Sequence, residues 1–166
     1  RAAWDNSVTA RSAHDDLFTT ITGEQAISDR LWLGLGHIES ATELTANNDG
    51  DFAVPVPNML LKHYVNHAAP EWWEPLTDHY TQAMVELYRS RGPAHPRAQP
   101  LLFYYAKRSE YVLEYLACVK AVRSAAIAKA DGDADTAIEQ LEAAIESLYN
   151  AIDTLGDVAQ DPSDRG

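Results

Sequence analysis

The sequence predicts an all-α fold, an up-and-down bundle of four or five helices that ends in a long C-terminal helical hairpin. Three observations predict it. Ile138, Leu141, Ile145, Leu148, Ile152 and Leu155 are spaced 3, 4, 3, 4, 3, which is an a/d coiled-coil seam. Residues 101–130 contain neither proline nor glycine, a run long enough for about eight helical turns. Asp131-Gly132-Asp133 lies between the two stretches as a turn signal, so residues 97–160 read as one hairpin. The 166 residues, 46% of them hydrophobic, fit a single domain over 1–166 with a sizeable core.

Residues 1–23 carry a patchy helical rhythm, with Trp4, Val8, Leu17, Phe18 and Ile21 apolar and a break at Gly23. Thr22-Gly23-Glu24-Gln25 opens a helix over 24–47 with Ile27, Leu31, Leu35, Ile38 and Leu44 on one side. Gly34 and Gly36 lie inside it. Each costs about 1 kcal/mol against alanine, which predicts close approach of another backbone. Asn47-Asn48-Asp49-Gly50 ends the helix. Pro55 and Pro57 alternate with valines, so residues 51–58 read as an extended connector. Asn58 then caps a short helix over 59–67. Pro70 opens the next helix, with Glu71 and Glu74 at its positive dipole end. That helix shows Leu76, Tyr80, Met84, Leu87 and Tyr88 as its apolar face and stops at Gly92-Pro93. Pro93, Pro96 and Pro100 make a stiff loop. In the first arm of the hairpin the inner stripe is Tyr105, Val112, Leu116, Val119 and Ala126. Asp133 or Asp135 caps the second arm, which ends near Gln160. Asp131 to Asp135, with Glu142, has the outline of a calcium loop, but a twelve-residue loop would unwind the seam, so these acids read as cap chemistry.

Charge and composition exclude several function classes. The net charge is −12, from 25 acids against 13 bases, which disfavours nucleic acid and anionic membrane as partners. The single cysteine, Cys118, allows no internal disulfide and no thiolate metal cluster; between Ala117 and Val119 it reads as a small buried hydrophobe. No run of 18 apolar residues offers a membrane span. There is no Gly-x-Ser-x-Gly, P-loop or dinucleotide fingerprint, and so no residue to name as catalytic. Arg1 at the start and Asp-Pro-Ser-Asp-Arg-Gly at the end fit a domain cut from a larger chain.

Three constellations carry possible chemistry. His63 and His67 stand at i, i+4, which on a helix puts two imidazoles on one face for a divalent metal such as Zn or Ni. His79 is the candidate third ligand, and His14 and His37 are others. In this the chain is similar to the His-rich four-helix bundles of the DinB-like family. No Glu-x-x-His pair occurs, which argues against a ferritin-type di-iron site. The second constellation is Trp72-Trp73. Adjacent helical residues point about 100° apart, so one tryptophan lies near the surface, where it would stack on a sugar or fill a partner's groove. The competing expectation is that both close the end of the bundle against Phe52 and Tyr64. The third is Tyr104, Tyr105, Tyr111 and Tyr115 with Lys107, Arg108, Glu110 and Glu114. Tyr104 and Tyr111 are its surface members, and Arg108 is either a salt-bridge partner or an anion site.

The run Pro70-Glu-Trp-Trp-Glu-Pro-Leu-Thr-Asp-His-Tyr to Leu87-Tyr88-Arg89, followed by Tyr105 to Leu116, resembles the helical region that trails the catalytic barrel in some large glycoside-hydrolase-like proteins. The resemblance covers residues 65–166. It implies helices that support or extend a barrel and carry little or no catalysis. The combined expectation is a non-catalytic accessory or interaction module, without a cofactor, of a larger, carbohydrate-active protein. It would pack on a neighbouring domain or a protein partner through Trp72, Trp73, Tyr104 and Tyr111. The rivals are a metal-binding bundle built on His63, His67 and His79, and a ligand-sensing bundle.

Overall fold

Each helix boundary in the computed structural model, which describes residues 7–48 and 57–159, has a local chemical cause. Helix α1 (Ala10–Thr22) starts with a reciprocal capping box. The Ser12 N–H donates to the Thr9 hydroxyl at 3.1 Å, and the Thr9 N–H donates to the Ser12 hydroxyl at 3.0 Å. It ends at Gly23, whose φ of 93° is left-handed and favours glycine. Helix α2 (Gln25–Asn47) follows at once, and Arg11 ties the two through Asp15 and Asp29. Most of the expected connector, 51–56, lies outside the described residues. Its last two members, Pro57 and Asn58, are already helical in α3 (Pro57–His63). Proline is well suited to a first helical turn, so the helix begins at Pro57, one residue before the Asn58 expected to open it.

Pro70 forms a turn, its carbonyl accepting from the Trp73 N–H at 3.0 Å, and α4 (Trp73–Arg91) begins three residues later than its proline suggests. Helix α5 (Gln99–Ala130) takes Pro100 in its first turn. Helix α6 (Ala134–Gly156) is capped by Asp133, which accepts from the Thr136 N–H at 3.0 Å and the Thr136 hydroxyl at 2.7 Å. The cap reading of that acidic turn is therefore correct. The described residues hold six helices and no strand. The all-α bundle with a C-terminal hairpin stands, and the helix beyond the expected four or five is α1, from the patchy N-terminal segment.

Helix α1 packs on α2, α2 on α4, α4 on α5 and α5 on α6, while α3 rests against α5. One core cluster joins Ile27 and Leu31 of α2 to Leu87 of α4 and Leu102 and Ala106 of α5. A second joins Ala41, Trp73, Leu76, Tyr115, Leu116 and Val119. Helix α5 is buried on most of its circumference, as a central helix should be. The close approach expected of both glycines occurs at one. A Cβ on Gly34 would lie 3.1 Å from Leu87 Cγ and 3.5 Å from the Ala83 carbonyl, whereas Gly36 faces open space.

The α5/α6 hairpin is closed by small residues. Ala137, Ala144 and Ala151, seven apart, are buried, and Ala144 joins Cys118 and Val122 of α5 in a third cluster. Small side chains let the two helices approach closely. The isoleucines of the seam are therefore not what α6 turns to α5; they are rotated toward solvent, while Leu148 of the same seam still packs on the α5 cluster.

Candidate interaction surface

Along α6 the same three-residue motif recurs every seven positions: Ala137-Ile138-Glu139, Ala144-Ile145-Glu146 and Ala151-Ile152-Asp153. Consecutive helical residues are about 100° apart. The alanines face α5, the isoleucines stand one step round, and the acids one step further. Ile138, Ile145 and Ile152 are 57%, 56% and 55% exposed. Leu141, Leu155 and Tyr149 are exposed beside them, and Leu148 tucks against the cluster of Cys118 and Val122. Single exposed hydrophobes are ordinary, but a row of them about 25 Å long on one helix face is not.

The row has an acidic border. Asp135, Glu139, Glu142, Glu146 and Asp153 are all exposed, and residues 134–156 contain no Lys, Arg or His. None of these five carboxylates is in an ion pair among the described residues. The far end of α6 is fixed differently. Lys107 of α5 reaches Asp157 at 2.9 Å and Glu110 at 3.1 Å. Burial works against the Lys107 charge, but its hydrogen bonds to Asp157 and Glu110 outweigh this and raise its pKa. The Tyr88 hydroxyl donates to Glu110 at 2.5 Å. Burial, then that bond, pushes Tyr88 up to about 12.

The residues expected to dock are placed unequally. Trp73 is 2% exposed in the second core cluster and has no face to offer a partner, which corrects its place in the docking surface. Trp72 is half-buried against that cluster, its ring 5.8 Å from that of Trp73, while Phe52 lies outside the described residues. A buried Trp73 follows from its position three before Leu76 and seven before Tyr80, on the α4 stripe that meets α5. Tyr104 is exposed and accepts from Arg108 at 2.9 Å. Tyr111 is half-buried and stacks parallel to Tyr115 at 6.5 Å. Tyr111, Arg108 and Tyr80 line a cavity of about 290 Å³ between α2, α4 and α5. Burial raises the Tyr80 and Tyr111 phenols, and the Arg108 charge opposes it. Arg108 is in no ion pair among the described residues; its guanidinium donates to the Tyr104 hydroxyl.

The histidines do not assemble as expected. Helix α3 ends at His63, so His67 stands in the following loop and the shared helical face does not exist. His79 meets His37 instead, with the two Nδ1 atoms 3.0 Å apart. His14 is buried against Phe18 and Trp32 and holds the Ser28 carbonyl through Nε2 at 2.9 Å. Among the described residues no three His, Cys, Asp or Glu side chains come together as a metal cluster. Cys118 is buried as expected, and burial pushes its thiol up. No described helix is long and apolar enough to cross a membrane.

No family model matches the chain, and no curated protein or solved structure matches it. The functional reading therefore rests on residues and geometry.

Proposed function

We propose that this chain is a non-catalytic helical interaction module whose docking face is the Ile/Leu row of α6. The observation that carries the reading is the half-exposed isoleucine at each turn of the repeat, on a helix already satisfied on its other side. Each such side chain has roughly 1 kcal/mol left to gain by full burial, which no element among the described residues supplies. Ile at every a and Leu at every d is the pattern that favours pairing with one further helix. The resemblance of 65–166 to helices behind glycoside-hydrolase-like barrels supports the same kind of role, in which a neighbouring domain of a carbohydrate-active protein carries the partner. Trp72 and Tyr104 would extend the contact; Trp73 would not.

The test is substitution of Ile145 and Ile152 by Asp in the full chain. On a docking face the double variant keeps the parent melting temperature within a degree or two and stops binding a labelled three-heptad Ile/Leu peptide. A fall of many degrees would show that the row belongs to the core, and retained binding would place docking elsewhere.

A metal-binding reading moves from His63 and His67 to His37 and His79. Two imidazole nitrogens 3.0 Å apart stand near the spacing of two ligands on one divalent ion. Stoichiometric Zn or Ni in the purified protein, lost in His79→Ala together with a chelator-sensitive melt, would support it. No metal and no shift would leave a hydrogen-bonded imidazole pair, in which one ring donates and the other accepts.

A further inference from the structure

We infer that the occupant of the α6 row is a basic amphipathic helix, with an apolar a/d seam bordered by Lys or Arg, and not a second copy of this chain. The inference rests on the docking reading and adds the chemistry of the partner.

Three observations carry it. First, acids line the side of the row away from the alanines: any helix lying on Ile138, Ile145 and Ile152 has Asp135 and Glu142, about 40–60° round the helix from the isoleucines, along its edge, with Glu139, Glu146 and Asp153 about 100° round, behind them. Secondly, these charges are uncompensated at home. Asp135 with Glu139 and Glu142 with Glu146 are like charges at i, i+4, and Glu139 with Glu142 at i, i+3, each of which repels within the helix. Natural surface helices usually relieve such rows with bases of their own, and α6 has none. Cations on a partner would relieve the repulsion and gain attraction in one step, in a rim partly shielded from water by the contact itself. Thirdly, the alternative occupant fails on charge. A second α6 would lay the same five carboxylates against these five, and like charges brought together at an interface oppose association.

The opposite edge of the row agrees. The alanines are closed against α5, so the partner reaches α6 only over the isoleucines and across the acidic border. Its recognition is a helix-in-groove contact in which apolar anchors supply affinity and the flanking charges supply selection.

The experiment uses the full chain and two fluorescent three-heptad peptides, identical at a and d (Ile and Leu) and carrying either Lys or Glu at every flanking position. Anisotropy titrations at low salt and at half-molar salt are paired with sedimentation of the chain alone. The expected result is at least tenfold tighter binding of the Lys peptide and a narrower gap at high salt. In the Glu139→Lys, Glu142→Lys, Glu146→Lys variant, whose changes are all on exposed positions and include the acid that flanks Ile138 and Ile145, the preference reverses. Equal binding of the two peptides overturns the basic-partner inference and leaves the docking face standing. A chain that sediments as a dimer, with neither peptide binding, puts a second copy on the row and overturns the inference. A monomer that binds neither peptide overturns the docking reading as well.

Discussion

At the scale of residues, Gly34 and Gly36 make a matched pair with opposite expected outcomes. Gly36→Ala meets open space and gains helix propensity, so it should stabilise by up to about 1 kcal/mol. Gly34→Ala meets Leu87, which is fully buried and cannot swing aside, so overpacking of about 1–3 kcal/mol should exceed the same gain. Denaturant melts of the two variants check both signs; a stabilised Gly34→Ala would mean that α2 and α4 are less tightly seated than described. Trp73→Ala should cost about 3–5 kcal/mol, because a large core side chain leaves a cavity that its neighbours in the cluster cannot fill. These assignments were only half legible in the sequence. Two adjacent tryptophans show that one must turn outward, but which one depends on how α4 is rotated against α5. The Gly34 contact likewise depends on where Leu87 arrives from another helix. The pairing of His37 with His79 spans 42 positions, and no local spacing announces it.

Helix α6 is the element whose behaviour the charges control. Asp133 caps it, and its hydrogen bonds from the Thr136 side chain and N–H hold the carboxyl below the usual carboxylate range. A depressed carboxyl pKa contributes stability above the unfolded value of about 4, and that contribution is lost as pH falls through the folded value. The melting temperature of the parent should therefore fall relative to Asp133→Asn as pH drops from 5 to 3. Parallel curves would mean that the cap does not titrate as the geometry requires. At the other end the sign is reversed. Tyr88 is raised to about 12 from 10, so the Tyr88, Glu110 and Lys107 network is fully present below pH 10 and weakens as pH rises through 12. Amide exchange near Asp157 should quicken across that window more than in Lys107→Met, which lacks the anchor. The boundaries of α5 and α6 were legible because prolines, the Asp131-Gly132-Asp133 turn and the cap act within a few residues of one another. The extent of α3 was not, because Pro57 suits an extended segment and a first helical turn equally well.

For the whole molecule, the class of fold was readable because a helix's apolar period is a local property, and four of the six helices carry it plainly. What covers each apolar face is not local. The 3-4 spacing in α6 marks a face as apolar, yet the bundle is closed by the alanine row beside it, and the isoleucines are left to solvent. The candidate surface was thus written in the sequence as a seam, while its being unpartnered within the fold depends on the rotation of α6 about its own axis. Cys118 offers a check on that arrangement. It lies under α6, fully buried, with Val122 and Ala144. Its reaction with a thiol reagent should be slow in the native protein and should speed in Ala144→Glu, which forces a charge into the α5/α6 contact. Equal rates would show that α6 does not cover the thiol.

The repeat of alanine, isoleucine and acid separates duties that most helices combine. The alanines hold the helix to its own fold, the isoleucines offer adhesion, and the acids choose what adheres. Since of these three rows only the first is buried against α5, the other two can drift, be exchanged or be redesigned without putting the bundle at risk. A lineage, or an engineer, could change the partner of such a domain while inheriting its architecture intact.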